Sequence, residues 1–430
     1  MTRRTATVLL LGPGPALGPA LGLALGLALA PAPVGAQEAA PVGAQPADTL
    51  PEAGSELRVW LLTAGPGEAV WERFGHNAIR VLDTATGRDV AYNWGIFDFD
   101  QPGFIPRFLE GEMLYMMAPF QAGPMVEAYA RTGRRIVMQE LALAPAQRLE
   151  LVAFAERNAL PENRDYRYDY FRDNCSTRVR DLLDRVLGGQ LSERFSAEPS
   201  GTSWRDQIRR LTRDDVPLFT GMDVLLGTPG DEAISVWQEM FLPMTLRDAL
   251  RDVTVPGPDG AARPLVVAEE VIVEGIHPTE PAEPPSWILP YLLAGLALGG
   301  LLAWGGGGSA WGRRTVGAVA VLWSLAAGLV GTILLLVLFT DHVFMYPNAN
   351  AFLLTPLSLG LAVMIPLAGR RPEARRLAER LAVAVLAVAA LALLVQGVPS
   401  LRQDNAIFLA LILPAHAGLW WGLRRRAGEV

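Results

Sequence analysis

Five long apolar runs in the last third of the chain constrain its fold more than any other feature. A helix needs about 17–25 mostly apolar residues to cross the hydrocarbon core of a bilayer, and each run reaches or nearly reaches that length. Because lipid offers no partners to backbone N–H and C=O groups, such runs are expected to be helical. They lie near residues 287–304, 315–339, 352–368, 381–395 and 407–422. The sequence therefore predicts an all-α five-helix transmembrane bundle over residues 287–423, followed by a cytoplasmic tail over residues 424–430.

The arginines between these runs predict how the bundle is oriented. All 37 basic residues of the chain are arginine. Segments 305–314 and 369–380 and the C-terminal tail together hold ten of them, whereas the two loops on the other side hold only Arg402. Positive residues accumulate on the cytoplasmic side of membrane helices. We therefore expect a multi-pass protein of the bacterial inner membrane, with the residues before the bundle in the periplasm.

The N-terminus has the pattern of an export signal. An arginine pair precedes a long apolar stretch, and small residues at Val34 and Ala36 fit cleavage before Gln37. The alternative is an uncleaved anchor helix, but the many Gly and Pro residues of the stretch favour a cleaved signal peptide over residues 1–36. Residues 37–55, rich in Ala, Pro and Gly, are predicted to form a flexible linker.

Residues 56–278 are predicted to form one α+β domain, which a Pro-rich hinge over residues 279–286 joins to the bundle. Their apolar patterns predict strands for "ELRVWLLTA", "HNAIRVLD", "DVAYNWGIFDF" and "RRIVMQELAL". Helical patterns are found in "PAQRLELVAFAERNAL", "STRVRDLLDRVLG" and "DEAISVWQEMFLPMTLRDAL". From Gln37 to Ser286 the chain holds 24 arginines against 39 acidic residues. This acidic balance argues against nucleic acid as a partner.

The single cysteine of the chain, Cys175, lies in the stretch "FRDNCSTRVRDLL". Asp173 and Asn174 are candidate N-cap residues, which would place Cys175 in the first turn of a helix. The unpaired N–H groups and the dipole at such an end lower the pKa of a thiol and can stabilise an oxyanion. The alternative is a small buried hydrophobe without a chemical role. Since the chain has one cysteine, no disulfide can form within it.

A thiol nucleophile needs a base, usually a histidine that a third polar group orients. Of the four histidines, His76 in "ERFGHNAIRV" is the one on a predicted strand of the 56–278 domain. Asn93 on the next strand is the first candidate for the orienting group, provided that the hairpin register places it on the face of His76. Asp98 and Asn77 are alternatives, and His76 itself could simply bond a neighbouring carbonyl. Without an HExxH or paired-cysteine motif, neither a metal nor another cofactor is expected.

Four further residues are candidates for substrate binding. His342, Asn348 and Asn350 lie in the predicted periplasmic loop "TDHVFMYPNANAFLLTPL", where they could bind a lipid headgroup or a peptide backbone. The alternative is that these residues are polar only because they lie at a water interface, where polar residues are common, and that they bind no substrate. Arg178 could bind a phosphate or a carboxylate, although an arginine on the exposed face of a helix is common.

Several segments together resemble a known family. "FGHNAIRV", "YNWGIFDFD" and "NRDYRYDYFRDNCSTRVRDLL" are similar to the N-terminal periplasmic domain of bacterial Lnb-type lipoprotein N-acyltransferases, and the five apolar runs are similar to the membrane domain of that family. The Cys-centred motif is the most specific part. The resemblance implies a permuted papain-like fold, as in lecithin–retinol acyltransferases, in which a His-bearing strand precedes the Cys-bearing helix. Ordinary NlpC-type peptidases have the reverse order.

The resemblance also implies a reaction and a catalytic pair. A fatty acyl chain would pass from an acyl ester of a lipoprotein or phospholipid, through a Cys175 thioester, to the N-terminal amine of a lipoprotein. His76 would accept the thiol proton, whereas the role of Asn93 is not given by the resemblance. The expected partners are therefore that acyl ester and the membrane.

Two other functions use the same features. A papain-like periplasmic hydrolase of peptide or cell-wall substrates would use the same Cys–His pair, although a soluble substrate would not require the membrane half. A non-enzymatic lipid-binding membrane protein would require neither side chain. The product separates these functions, because only an acyltransferase yields N-acylated lipoprotein termini.

Overall fold

A computed structural model describes residues 52–307 and 309–425 of the chain. The predicted signal peptide, most of the predicted linker and most of the predicted cytoplasmic tail lie outside these residues. The described part is α+β up to the Pro-rich segment and helical after it, as the sequence predicted. We refer to residues 52–278 as the N-terminal domain and to residues 287–425 as the membrane domain.

The strands of the described residues all lie in the N-terminal domain. In chain order they are β1 (Leu57–Ala64), β2 (His76–Asp83), β3 (Asp89–Ile96), β4 (Leu114–Gln121), β5 (Ile136–Leu141), β6 (Asp165–Arg167), β7 (Pro199–Ser203), β8 (Ala233–Ser235), β9 (Thr254–Pro256), β10 (Ala262–Pro264) and β11 (Val266–Val273).

The α-helices occur in both parts of the chain. Those of the N-terminal domain are α1 (Phe104–Glu110), α2 (Ala122–Arg131), α3 (Pro145–Asn158), α4 (Cys175–Val186), α5 (Gln190–Phe195), α6 (Trp204–Thr212), α7 (Val216–Leu225), α8 (Val236–Glu239) and α9 (Pro243–Leu250). Those of the membrane domain are α10 (Ile288–Trp304), α11 (Ala310–Leu336), α12 (Asn350–Leu353), α13 (Leu357–Ala368), α14 (Pro372–Val395) and α15 (Ala406–Arg425).

Seven strands form one antiparallel sheet in the order β11-β5-β1-β2-β3-β4-β6. Successive residues of β1 show that this sheet is covered on both faces. Val59 and Leu61 share a core cluster with residues of α3 and α4, whereas Leu62 belongs to a second cluster with residues of α2. A strand imposes this alternation because its side chains point to opposite faces in turn. The central strands β2 and β3 therefore present their side chains from a backbone that is held on both sides.

Two parts of the N-terminal domain differ from the sequence patterns. The stretch "DEAISVWQEMFLPMTLRDAL", helical in pattern, is divided into β8, the short α8 and α9. Pro243 explains the division, because proline has no N–H to continue a helix but suits the first position of a new one. The stretch "EMLYMMAPF", which carried no predicted element, supplies β4, where Met117 is buried and Phe120 is exposed.

The membrane domain contains the five predicted apolar helices. Among the described residues, four are long and apolar enough to cross a membrane: Ala310–Phe339, Asn350–Ala368, Pro372–Val395 and Ala406–Arg425. The remaining one, α10, has 17 residues, which extend about 25 Å at the rise of an α-helix. The predicted run 352–368 is interrupted between α12 and α13, where Pro356 disfavours helical geometry in the residue before it.

Glycines allow α10 to pack closely against α15. A Cβ added to Gly295 would lie 2.5 Å from the carbonyl oxygen of Leu411, and one added to Gly418 would overlap the backbone of Gly299. Close approach through small residues is a common means of helix association in lipid, where apolar side chains gain little from leaving the solvent. Helix α10 is thus held closely against α15, the last helix.

Buried polar contacts join the N-terminal domain to the loops at the near end of the membrane domain. Arg205 on α6 is only 1% exposed and pairs with the fully buried Asp223 on α7, at 2.7 Å. Arg209, also on α6, pairs with Asp404 in the segment before α15, at 2.5 Å. Phe219 of α7 lies in a core cluster of the membrane domain. The buried Arg205–Asp223 pair stabilises α6 against α7, because removing one partner of such a pair is strongly destabilising. The Arg209–Asp404 pair, whose Asp404 side chain is 55% exposed, and the packing of Phe219 are the contacts that cross to the membrane domain.

Candidate active site

Cys175 is the first residue of α4, and a well-formed cap fixes its position. Asn174 is the N-cap residue, and its Oδ1 accepts hydrogen bonds from the backbone N–H groups of Ser176 and Thr177, at 2.9 Å each. Its Nδ2 donates to two carbonyl oxygens outside the helix, at 3.0 Å each. The predicted helix start is confirmed, with Asn174 rather than Asp173 as the capping side chain.

The remainder of α4 is anchored beneath the sheet. Its apolar side consists of Val179, Leu182, Leu183 and Val186, all buried in the core that α4 shares with β1 and β2. These positions recur at the spacing of one helical face, as the sequence indicated. A helix packed along its length holds its first turn rigidly, and Cys175 belongs to that turn.

Asn77, the residue after His76, ties the His-bearing strand to the Cys-bearing helix. Its Nδ2 donates to the hydroxyl of Ser176 at 3.1 Å, and its Oδ1 accepts from the hydroxyl of Thr63 at 2.9 Å. Because successive side chains of β2 point to opposite faces, Asn77 is turned away from the imidazole of its neighbour. Asp98, the other alternative, is exposed in the loop after β3.

His76 is hydrogen-bonded to the first candidate for the orienting group. Its Nε2 lies 3.1 Å from Oδ1 of Asn93. The register of β2 and β3 pairs Ala78 with Asn93. Since His76 and Ala78 point to the same face of β2, the imidazole and the amide meet across the two strands.

The hydrogen bonds of Asn93 determine which ring nitrogen of His76 carries the proton. The Nδ2 of Asn93 donates to the carbonyl oxygen of Ala91 at 3.0 Å and to the sulfur of Met125 at 3.2 Å. Its Oδ1 is therefore the atom left to accept from the imidazole. In the neutral ring this network assigns the hydrogen to Nε2 and leaves a lone pair on Nδ1. Nδ1 is thus available to take a proton from a thiol.

The sulfur of Cys175 touches the backbone of the His-bearing strand. The backbone N–H of Asn77 reaches it, as do those of Ser176 and of Cys175 itself. The peptide group that joins His76 to Asn77 therefore lies against the nucleophile. The first turn of α4 and the beginning of β2 together supply the N–H groups around the sulfur.

Burial keeps both members of this pair uncharged. It raises the pKa of the Cys175 thiol above its usual value, although the three backbone N–H groups and the charge of Arg134 act in the opposite direction. Burial also lowers the pKa of His76 to about 4, and the positive charge of Arg134 adds to that effect. The sequence had predicted a lowered thiol pKa from the helix terminus alone. That contribution is present, but desolvation outweighs it.

Gly95 provides the space beside the nucleophile. It has a φ of +84°, and a Cβ added to it would lie 3.2 Å from the Cβ of Cys175 and 3.7 Å from Cε2 of Tyr168. Gly75, next to His76, is similarly confined, because a Cβ there would lie 2.9 Å from the carbonyl oxygen of Ala64. Both glycines thus lie where a side chain would crowd a neighbouring element.

Arg134 is a charged residue near the site that sequence reasoning missed. It follows α2 and is 3% exposed. Its Nε donates to the carbonyl oxygen of Gly65 at 2.8 Å, and its guanidinium lies 4.7 Å from the ring centre of Tyr129. Its Nη2 is buried without a hydrogen-bond partner among the described residues. Positive charge here favours an anionic sulfur and disfavours a protonated imidazole.

Two of the predicted substrate-binding residues lie against aromatic side chains of the N-terminal domain. Nε2 of His342 lies 2.9 Å from the carbonyl oxygen of Phe108, and its ring stacks on Tyr170 with 6.3 Å between centroids. Arg178 pairs with Asp173, and its guanidinium lies 4.1 Å from the ring centre of Tyr166. His342 thus connects the membrane domain to α1, and Arg178 reinforces the beginning of α4.

The other two predicted substrate-binding residues bind backbone groups of α7. Nδ2 of Asn348 donates to the carbonyl oxygens of Val224 and Leu225, at 3.0 Å each. Asn350 is fully buried, and its Nδ2 donates to the carbonyl oxygen of Val224 at 3.1 Å. Both amides therefore satisfy carbonyl groups at the end of a helix. The structure joins His76 to Asn93 by a hydrogen bond and places the backbone N–H of Asn77 near the sulfur of Cys175. Asn348 and Asn350 lie in the joint between the domains.

Two family models match the chain. The one described as the Lnb N-terminal periplasmic domain matches residues 52–213, and the one described as the Lnb transmembrane domain matches residues 290–425. Searches among curated proteins and among solved structures gave no significant match. Cys175, His76 and Asn93 all lie within the first matched region, and the five apolar helices correspond to the second. The chain therefore belongs to the Lnb family, with the periplasmic and transmembrane domains of that family in succession.

Proposed function

We propose that this protein is a membrane-bound cysteine acyltransferase that transfers a fatty acyl chain to the N-terminal amine of bacterial lipoproteins. The observation that carries the proposal is the hydrogen bond between His76 and Asn93, which leaves Nδ1 of the imidazole free next to the peptide that contacts the Cys175 sulfur. Membership of the Lnb family supports the substrate class. The membrane domain supports an acyl donor that resides in the bilayer.

In the first half-reaction Cys175 takes the acyl group from an ester. The sulfur attacks the ester carbonyl while Nδ1 of His76 accepts the thiol proton, so that a C–S bond forms. The C–O bond of the ester then breaks, and the leaving alkoxide takes the proton back from the imidazolium. The products are a Cys175 thioester and a lipid with a free hydroxyl group. N–H groups of the first turn of α4 are candidate donors to the oxyanion.

In the second half-reaction the amine of a lipoprotein attacks the thioester. A C–N bond forms and the C–S bond breaks, while His76 takes a proton from the amine and returns it to the sulfur. Amide formation requires that water not compete for the thioester. The desolvation that shifts the pKa values of both groups is in line with that requirement, and both residues are half-buried before a substrate is bound.

Asn93 and Arg134 have supporting roles in this scheme. Asn93 holds the imidazole in the tautomer that can act as a base, as an orienting third group does in catalytic triads. Arg134 favours the thiolate through its charge. The proposed location is the bacterial inner membrane with the N-terminal domain in the periplasm, which the arginine distribution supports.

Expression in bacterial cells that lack their own lipoprotein N-acylation tests the proposal. We expect mass spectrometry of one lipoprotein's N-terminal peptide to show an amide-linked fatty acyl chain when this chain is present. Cleaved peptides with an unmodified amine would instead favour the papain-like hydrolase. Unmodified and uncleaved lipoprotein, with the chain present in the membrane, would favour a lipid-binding role without catalysis.

The low pKa of His76, about 4, predicts an unusual pH dependence. The imidazole is neutral, and so able to act as a base, above that pH. With purified protein and a fatty-acyl ester, we expect the rate of Cys175 acylation to be level between about pH 5.5 and 7.5. The rate should fall only as the pH approaches about 4, well below the ordinary histidine value of about 6.5.

Folding is linked to the same proton and has to be measured in parallel. Between pH 4 and 6.5 the unfolded chain binds more protons at His76 than the folded one. The free energy of unfolding therefore rises with pH through that window and is independent of this group above it. Circular dichroism at each pH separates acid unfolding from loss of the base. A fall in rate centred near pH 6.5, with the fold intact, would contradict the buried imidazole.

A further inference from the structure

Five large apolar side chains of the N-terminal domain are exposed in and around α1. We call Trp71, Phe99, Ile105, Phe108 and Leu109 the apolar rim. Ile105 is 60% exposed and Leu109 is 63% exposed, and their spacing along α1 places them on one face of the helix. Trp71 and Phe99 are in edge contact, with 5.7 Å between centroids. A contiguous exposed apolar patch of this kind marks a surface that contacts another apolar phase.

The apolar rim is attached directly to the end of a membrane helix. The backbone N–H of Asp341 donates to the carbonyl oxygen of Glu110, the last residue of α1, at 2.8 Å. At Gly111 the chains approach so closely that an added Cβ would lie 2.8 Å from the backbone of His342. Arg167 of β6 also pairs with Asp341. These contacts fix α1 at the level where the membrane domain ends.

One candidate membrane span ends beside the apolar rim. The candidate span Ala310–Phe339 ends just before Asp341, and Phe339 is 86% exposed. Aromatic side chains favour the interface between hydrocarbon and water. Because Glu110 is bonded to Asp341, the last turn of α1, which carries Leu109, lies beside the end of this span.

A line of aromatic rings leads from the apolar rim to the nucleophile. Consecutive rings along it are 4.1 to 6.3 Å apart between centroids, and they are Phe108, Phe104, Phe97, Tyr115 and Tyr168. Tyr168 ends the line at Gly95, next to the Cβ of Cys175. Phe108 is exposed, Phe104 is 7% exposed, and the other three rings are half-buried. A hydrocarbon chain can therefore contact the accessible edges of these rings.

We propose that the apolar rim is immersed in the interface of the lipid bilayer and that the acyl donor reaches Cys175 along the aromatic line. The occupant is a lipid surface, because the rim is attached next to the end of a candidate membrane span. A second copy of the chain or another protein would instead cover the rim with polypeptide. The delivery step rests on the proposed acyltransferase function, whereas the immersion of the rim does not.

The single cysteine of the chain makes the immersion directly measurable. In a Cys175→Ser background, Ile105→Cys and Leu109→Cys each carry one nitroxide spin label, and the full chain is reconstituted into phosphatidylcholine–phosphatidylglycerol vesicles. Val267→Cys is the matched control, because Val267 is 53% exposed on β11, at the opposite edge of the sheet from β6. We expect oxygen to relax the labels at 105 and 109 more than a water-soluble nickel chelate does, with the reverse at 267.

Two results would overturn the immersion. Labels at 105 and 109 that are as accessible to the nickel chelate as the label at 267 would place the rim in water. Labels shielded from both reagents would show that polypeptide covers it. Neither result depends on catalysis, since the background lacks the thiol. Failure of the proposed function would therefore leave this measurement interpretable.

Delivery along the aromatic line is tested in the active chain. We expect the double variant Ile105→Glu/Leu109→Glu to lower the rate of Cys175 acylation by a vesicle-borne lipid ester at least tenfold. Acylation by a short-chain, water-soluble ester should be unchanged, which shows that the site is intact. Val267→Glu should affect neither rate. An unchanged rate with the vesicle-borne ester in the double variant would overturn delivery through the rim.

Discussion

Replacing Cys175 or His76 by alanine is expected to abolish lipoprotein N-acylation, to at least about 10³-fold below the wild-type rate. Without the sulfur no thioester forms, and without the imidazole nothing takes the proton from a buried thiol whose pKa is already raised. The measurement is the ratio of N-acylated to free lipopeptide by mass spectrometry, in cells that have no other N-acylating enzyme. Immunoblots of the membrane fraction should show normal levels of both variants.

His277→Ala is the matched control for the histidine variant. His277 is also a half-buried residue of the N-terminal domain, but its Nε2 lies 3.0 Å from the carbonyl oxygen of Thr132. Its loss should leave N-acylation unchanged. If the Cys175 and His76 variants still modify lipoproteins at the wild-type rate, the roles proposed for these residues are wrong.

Gly95→Ala is expected to slow Cys175 acylation by roughly 10²-fold, although only one methyl group is added. That methyl would lie 3.2 Å from the Cβ of Cys175, so the first turn of α4 or the strand must shift. The measurement is the time course of acyl-enzyme formation with a fatty-acyl ester, read from the mass of the intact protein.

Gly87→Ala separates this crowding from backbone strain. Gly87 has a φ of +75°, close to the +84° of Gly95, but no described atom lies within 4 Å of a Cβ placed there. Both variants should lose about 1–2 kcal/mol of stability, because an L residue is strained in that conformation. Only Gly95→Ala should lose activity. Equal losses of activity in the two variants would show that strain, and not contact with the nucleophile, is the cause.

The position of Cys175 at the start of a helix could be predicted from sequence because its determinants are local. Asn174 precedes an apolar pattern with the helical period, and both signals lie within a few residues of Cys175. The membrane helices could be predicted for the same reason, since the length and hydropathy of each segment suffice to find them. The meeting of His76 with Asn93 is less local, because it depends on a register that pairs Ala78 with Asn93. The sequence identified the residues but not that pairing.

The properties of the site that escaped prediction all depend on tertiary structure. The raised pKa of Cys175 arises from burial, which outweighs the helix terminus, and no sequence pattern measures burial at one atom. Arg134 follows an ordinary helix and carries no motif. The hydrogen bonds of Asn348 and Asn350 also escaped prediction, because their partners, the carbonyl groups at the end of α7, lie more than a hundred residues earlier in the chain.

The ion pair of Arg209 with Asp404, together with the insertion of Phe219 among membrane-domain residues, sets a fixed height for the sulfur relative to the helix ends. A sulfur at a constant distance from the ends of the membrane helices limits which amines can reach it. On the proposed function, the terminal amine of a lipoprotein is held near the bilayer by its own lipid anchor and therefore meets the sulfur repeatedly. A lysine farther along the same polypeptide lies too far from the bilayer to reach it. Selection of the terminal amine would then follow from tether length alone, without any pocket that reads the acceptor's sequence.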